Sequence, residues 1–138
     1  MSLKVLAVAA AMFALSTAVV AAPEVSAWAA PQVAEMDAFG FGRPVEGMTF
    51  EGAATATEVK AIDVSVTSRG AYAFVAGCGG DCADVGLLLK AADGHVVTRG
   101  VPGFKAQLAP GDYTLHLGFQ RCEEVKCRYV VRGYRAAG

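Results

Sequence analysis

The sequence predicts an all-β fold, an antiparallel β-sandwich of about 7–8 strands with jelly-roll or Greek-key connections, behind a signal peptide and a short N-terminal lead-in. Apolar side chains alternate with polar or small ones along several segments, which is the period of a strand with one buried face. Turn signals recur at intervals of roughly ten residues, and no helical segment is long enough to connect parallel strands. An antiparallel sandwich follows from these observations.

The first residues have the layout of a secretory signal peptide. Lys4 precedes an apolar run and small residues follow it, so residues 1–29 are predicted to be removed by cleavage after Ala29, with an alternative site after Ala21. A retained membrane anchor is the other interpretation, because residues 5–22 reach the lower limit of a membrane span. Cleavage is favoured because this run is rich in alanine. The mature chain is then periplasmic or secreted, without stable membrane insertion and without Trp28.

Two regions are predicted after the signal peptide. Residues 30–47 form a flexible lead-in, because glycines and a proline interrupt a mixed composition, with at most a short helical turn over residues 33–39. Residues 48–138 form the β-sandwich domain, which is large enough for one hydrophobic core.

The predicted strands are separated by recognisable turns. Alternation is clearest at residues 62–66 and 113–119. Asp93-Gly94 predicts a tight hairpin between two short strands. Residues 68–70 supply another turn between strands.

A third turn carries the pattern of a tyrosine corner, a strand-start tyrosine whose hydroxyl bonds to nearby backbone. Leu108 is followed by Pro110 and Gly111, and then by Tyr113 at the start of a strand. Tyr113, Gly111 and Pro110 are therefore assigned a structural role.

Four cysteines follow the signal peptide: Cys78, Cys82, Cys122 and Cys127. In an oxidising compartment an even number predicts two disulfides, for which three connectivities exist. The spacing favours the local pairs Cys78–Cys82 and Cys122–Cys127, provided that both segments turn back. Two glycines between the first pair permit such a turn.

A redox couple and a metal site are two further interpretations of the loop around Cys78. A thioredoxin-like couple needs Cys-x-x-Cys at the start of a helix, whereas this loop has a different spacing and lies between strands. A four-cysteine zinc site would need the usual finger spacing and would compete with oxidation. Asp81 and Asp84 offer hard oxygen ligands and are the candidate calcium ligands. No other cofactor is predicted.

Residues 72–131 resemble the bacterial pre-peptidase C-terminal (PPC) type of secreted β-sandwich module. The resemblance is carried by the stretches AYAFVAGCGGDCADVGLLLKAADGHVV, LAPGDYTLHL and CEEVKCRYVV. It implies a non-catalytic module of secreted enzymes or of the envelope, and some such modules bind calcium or polymeric surfaces. Gly86 stands where a second acidic residue is expected after Asp84, which argues against carrying over a calcium role.

The sequence contains neither a Gly-x-Ser-x-Gly elbow nor a His-Glu-x-x-His motif. His95 and His116 are expected to be exposed residues without a catalytic role. The net charge of −1 indicates no nucleic-acid partner. Several basic residues near the C-terminus are expected on a solvated strand face: Arg121, Lys126, Arg128, Arg132 and Arg135.

These observations predict a non-enzymatic secreted or periplasmic β-sandwich, a binding or structural module that contacts an unidentified macromolecule or polysaccharide of the cell envelope. The alternatives are a calcium-stabilised structural module and a thiol-based redox enzyme.

Overall fold

A computed structural model of the chain describes residues 25–80 and 82–137, so the predicted signal sequence up to residue 24 lies outside the described residues. Within them no helix has the length and apolar character needed to cross a membrane. In the same described ranges one helix, α1 (Ala30–Phe39), precedes eight strands. These are β1 (Arg43–Ala54), β2 (Lys60–Val66), β3 (Gly70–Gly79), β4 (Cys82–Ala91), β5 (Val96–Gly100), β6 (Gly103–Leu108), β7 (Gly111–Cys122) and β8 (Cys127–Arg135).

The strands form two four-stranded sheets. Sheet 1 has the order β1-β8-β3-β6, and sheet 2 has the order β2-β7-β4-β5. All six pairings between neighbouring strands are antiparallel. The predicted antiparallel β-sandwich is therefore confirmed, with eight strands.

The alternating positions of the predicted strands fill the space between the two sheets. Leu89, Leu115 and Leu117 of sheet 2 are fully buried against Phe74 and Val131 of sheet 1. Their neighbours along each strand point away from this core, because successive side chains of a strand lie on opposite faces. On sheet 2 these outward-pointing side chains form a face that is open to solvent.

The outer face of sheet 1 is different, because α1 lies on it. Val33 and Met36 of the helix pack against Val75, Val130 and Tyr134, which point outward from β3 and β8. Burial of an aliphatic side chain of this size contributes about 2 kcal/mol. Strands β3 and β8 are thus covered on both faces, which explains why most of their residues are buried in succession.

The expectation of a flexible lead-in over residues 30–47 is wrong. This segment contains α1 and the first residues of β1, and the helix ends at Gly40, whose φ of 94° places it in the left-handed region that favours glycine. The layer begins even earlier, since Ala29 is fully buried and the Trp28 ring lies 5.3 Å from the Arg128 guanidinium. Cleavage after Ala29 would remove these contacts, whereas cleavage after Ala21 would keep them.

A polar cluster fastens α1 to β8. The Tyr134 hydroxyl donates a 2.6 Å hydrogen bond to Asp37, and the Arg132 Nε lies 3.3 Å from the same carboxylate oxygen. Burial raises the pKa of Tyr134, and the hydrogen bond to Asp37 raises it further. Arg132 is buried beneath the helix, so its predicted place on a solvated strand face is wrong.

Tyrosine hydroxyls brace one end of the sandwich. Tyr113, at the start of β7, donates a 2.7 Å hydrogen bond to the Ala109 carbonyl, four residues upstream. Tyr72 makes the same contact with Ser68 at 2.5 Å, near the start of β3. Each contact spans a connection between the two sheets, which is the geometry of a tyrosine corner.

Two disulfides lie at the opposite end. Cys78 is joined to Cys82, with Cα atoms 6.4 Å apart, and Cys122 is joined to Cys127, with Cα atoms 5.9 Å apart. These are the two local pairs favoured by the spacing, and each connects a strand of sheet 1 to a strand of sheet 2. Cys82 lies directly opposite Cys122 in the β4–β7 ladder, so the two cross-links are neighbours.

Candidate functional site

The open face of sheet 2 has a depression at its centre, which we call the glycine trench. Gly86 of β4 and Gly118 of β7 lie directly opposite each other in the ladder, both in the outward-facing phase. Neither position has a side chain to cover the backbone. The floor of the trench is therefore half-buried main chain without covering side chains, between two longer flanks.

Two valines form the flanks of the trench. Val101, which follows β5, would lie 3.6 Å from a Cβ atom added to Gly86, and Val59, which precedes β2, would lie 4.0 Å from one added to Gly118. Val59 is 65% exposed and Val101 is 51% exposed. The space between them is a cavity of about 450 Å3, within the usual range for ligand sites.

Polar side chains lie around the ends of the trench. Leu88 separates His116 on β7 from Arg99 on β5 along one row of the sheet, and Gln120 lies at the other end. No aspartate or glutamate is among the described residues that line the cavity. The site combines an aliphatic interior with a cationic guanidinium and an imidazole, so it suits an apolar group beside a hydrogen-bond acceptor or carboxylate.

The two histidines have different surroundings. His116 is half-buried in the trench, and not the freely exposed residue that its polar phase suggested. His95 is exposed in the β4–β5 turn, where its Nδ1 lies 2.6 Å from an Asp93 carboxylate oxygen. The structure does not bring them together.

The candidate calcium ligands do not form a described site. Asp84 is exposed on the outer face of β4, with a φ of 53°, and Asp81 lies outside the described residues. In the two described ranges no group of three or more histidine, cysteine, aspartate or glutamate side chains is placed to hold a metal ion. A calcium role for Asp81 and Asp84 stays a prediction.

Sequence reasoning missed the trench, although its two glycines are visible. Gly86 and Gly118 each occupy a polar-phase position in a strand with a clear apolar alternation. A glycine inside a strand weakens it and often marks a close approach by a ligand or another backbone. The pairing of one glycine with the other depends on strand register, which the sequence alone does not give.

Comparisons with known proteins support the fold. No family model matches this chain, and no curated protein matches its sequence. The pre-peptidase C-terminal domain of collagenase from Bacillus anthracis has a similar structure, with a TM-score of 0.51 and 12% identity, covering 67% of this chain and 90% of that domain. The periplasmic inhibitor of g-type lysozyme from Aeromonas hydrophila, PliG, has a TM-score of 0.49 and 12% identity, covering 65% of this chain and 89% of that chain.

These likenesses have different weight. At a TM-score of 0.49, the similarity to PliG establishes nothing about this chain. The similarity to the collagenase domain, at 12% identity, shows a shared fold and nothing about function. The resemblance noted in residues 72–131 is thereby confirmed at the level of architecture, and the chain has a PPC-like β-sandwich fold.

Proposed function

We propose that this protein is a non-enzymatic binding module of the periplasm or cell exterior, and that the glycine trench is its binding site. The observation that carries the proposal is the half-buried Gly86–Gly118 pair, which has no side chains to cover its backbone, between two solvent-facing valines. Open sheet faces normally carry side chains at such positions. Bare backbone there offers a partner a floor that it can approach closely.

The lining favours an extended segment of a partner protein over a polysaccharide. Val59, Val101 and Leu88 give the trench a largely aliphatic interior. Sugar hydroxyls placed there would lose water without gaining hydrogen bonds, which costs free energy, whereas an aliphatic side chain gains by burial. Arg99 has no ion pair or side-chain hydrogen bond with the described part of the chain, so it is available to a carboxylate of the partner.

Two further features support a binding role outside the cytoplasm. A pair of disulfides is typical of proteins in oxidising compartments. The trench offers one histidine, with neither a carboxylate nor a nucleophilic side chain among its described lining, which favours recognition over catalysis.

Substitution of the floor tests the proposal without disturbing the fold. Gly118→Val fills the trench, since a Cβ atom there would meet only an ordinary contact at 4.0 Å, and valine suits a strand. Thr114→Val is the matched control, because it adds an outward valine to the same strand outside the trench. Both variants should unfold at or above the wild-type midpoint.

The binding assay has two arms. Wild-type protein and both variants are immobilised, incubated with envelope extract, and applied to a glycan array. We expect a saturable protein partner for wild type and Thr114→Val, and at least about a tenfold loss of affinity for Gly118→Val. If the protein binds glycans alone, its partner is a polysaccharide and not a protein. If Gly118→Val binds the partner as well as wild type does, the trench is not the binding site.

A further inference from the structure

The glycine trench is open at one end and closed at the other. At the open end the outward positions of the two floor strands are Gln120 and Asp84, both polar and exposed. At the opposite end Leu88, two residues beyond Gly86 on the same outward face of β4, has its half-buried side chain in the path of the trench. A chain that enters beside Gln120 can follow the floor until it meets Leu88.

Two side chains with hydrogen-bond donors flank this closed end. The ladders place His116 and Arg99 on either side of Leu88, each about 4.8 Å from it across the sheet. Both side chains line the cavity, and neither makes a side-chain hydrogen bond or an ion pair with the described residues. A guanidinium has five N–H groups and a permanent charge, and a neutral imidazole has one N–H group. The closed end therefore combines unused donors with an apolar surface between them.

Charges on the open face of sheet 2 give the trench a polarity. Arg99 lies at the closed end, and Lys90 lies one row further along β4. Asp84 lies toward the open end. Asp63 of the edge strand β2 is level with Lys90 but on the far side of β7, so it is further from Leu88 than Lys90 is. A negatively charged group is thus favoured at the closed end over the open end.

The distances fit the free end of a polypeptide. The glycine row and the Leu88 row are two residues apart along β4, which is about 6.6 Å. In a C-terminal residue whose side chain faces the glycines, the carboxylate oxygens lie about 2.4 Å from the Cα atom of that residue. A hydrogen bond of about 2.8 Å then reaches donors that lean slightly from the Leu88 row toward the trench. An internal segment would have to rise over Leu88, and it would present an amide group where a chain end presents a charge.

We propose that the glycine trench recognises the C-terminal residue of its partner protein. An aliphatic side chain of that residue lies on the Gly86–Gly118 floor, and its α-carboxylate lies over Leu88. The carboxylate accepts hydrogen bonds from Arg99 and His116. The apolar surface beneath the carboxylate limits its contact with water and so strengthens its attraction to the guanidinium. This inference rests on the function proposed above and adds the chemical group that the site selects.

Titration of the mature protein with synthetic peptides, followed by nuclear magnetic resonance, tests the proposal. The probe is an N-acetylated tetrapeptide of three alanines and a C-terminal leucine, and the comparator is the same peptide with an amidated C-terminus. We expect the free acid to bind with a Kd between about 10 μM and about 1 mM and to shift the Gly86 and Gly118 amide resonances. The amidated peptide should bind at least about fivefold more weakly, because it carries no charge for Arg99.

Two further probes represent other sources of the same chemistry. An amidated peptide with a leucine and, two residues later, a glutamate offers an internal carboxylate at the spacing of the two rows. Octanoate offers the carboxylate of a fatty acid. Both should bind more weakly than the free-acid peptide. If either binds more tightly, the site selects that group and not a protein C-terminus, which overturns the proposal.

Removal of the guanidinium tests the role of Arg99 directly. Arg99→Gln should weaken binding of the free acid at least about fivefold and leave the affinity for the amidated peptide within about twofold, since that peptide makes no ion pair. Lys105→Gln is the matched control, because it removes the same charge from an exposed position on β6 of sheet 1. Equal binding of the acid and the amide, or equal losses for Arg99→Gln and the control, would contradict the proposal.

A failure of this inference can be distinguished from a failure of the proposed function. Gly118→Val should abolish binding of the free-acid peptide, and binding that it leaves unchanged would place the carboxylate site outside the trench. If the wild-type protein binds none of the peptides, the specificity for a C-terminus is wrong. The proposed function then still depends on the envelope partner, whose binding Gly118→Val should weaken in either case.

Discussion

The attachment of α1 to the sheet should depend on one carboxylate. Asp37 accepts the hydrogen bond from the buried Tyr134 hydroxyl and lies 3.3 Å from the Arg132 Nε. Asp37→Ala removes both contacts and leaves the tyrosine hydroxyl without this acceptor. Asp37→Asn retains an oxygen that can accept the hydrogen bond but removes the charge that attracts Arg132. The two variants therefore separate the hydrogen bond from the ion pair.

The size of the effect follows from the surroundings of each contact. A hydrogen bond to a charged acceptor is worth about 2 kcal/mol. The Asp37 side chain is 39% exposed, so solvent screens its ion pair, which contributes about 1 kcal/mol. Asp37→Ala should then lower the free energy of unfolding by about 3 kcal/mol, and Asp37→Asn by about 1 kcal/mol. For a domain of about 110 residues, 3 kcal/mol corresponds to a fall in Tm of about 13 °C.

Urea unfolding gives the free energies, and amide hydrogen exchange locates the change. The amides of α1 should exchange faster in Asp37→Ala, because the helix loses its polar attachment. Asp63→Ala is the matched control, since Asp63 is an exposed aspartate on the open face of sheet 2. The reasoning is refuted if Asp37→Ala is no more destabilising than this control.

Three further predictions concern other parts of the chain. Replacing Cys78 and Cys82 together by serine should lower the free energy of unfolding by about 2 kcal/mol in urea titrations, because only a short loop is released; complete unfolding at room temperature would contradict this. The pKa of Tyr134 is raised in the folded state, so the protonated hydroxyl stabilises the fold fully below about pH 10. This stabilisation is lost as the pH rises further, and the free energy of unfolding then falls by up to about 1.4 kcal/mol per pH unit. Tyr134→Phe should flatten the alkaline stability profile, and identical profiles would argue against the assignment. The intact mass of the exported protein should correspond to cleavage after Ala21, because Ala29 is buried in the α1 layer; a chain that begins at residue 30 would disprove it.

The architecture could be predicted because its strands carry local patterns. Alternation marks β2 and β7, and Asp93-Gly94 marks the hairpin between β4 and β5. Strand β1 escaped prediction because Pro44 and Gly47 interrupt its period, and its pairing with β8 is correspondingly irregular between Pro44 and Thr49. Where the pattern is broken, the partner strand determines the structure.

The length and position of helix α1, of which the sequence suggested only a short turn over residues 33–39, could not be predicted, and neither could the glycine trench, for a related reason. The helix contributes two buried apolar residues, Val33 and Met36, and its place depends on outward-facing side chains that follow it by dozens of residues. The trench depends on the register that sets Gly86 against Gly118. Both features arise from contacts between distant segments, which no local pattern of one sequence encodes.

The two ends of the sandwich should differ in mobility. Covalent bonds hold the sheets together at the end with the disulfides, whereas hydrogen bonds from Tyr72 and Tyr113 hold them at the other end. Thermal fluctuations that part the sheets should therefore begin at the tyrosine end and pivot about the cross-linked one. Gly118 lies four residues before Cys122, and Gly86 lies four residues after Cys82. The trench consequently moves less than the tyrosine end of the sandwich, so it meets a partner as a comparatively rigid surface and less conformational entropy is lost on binding.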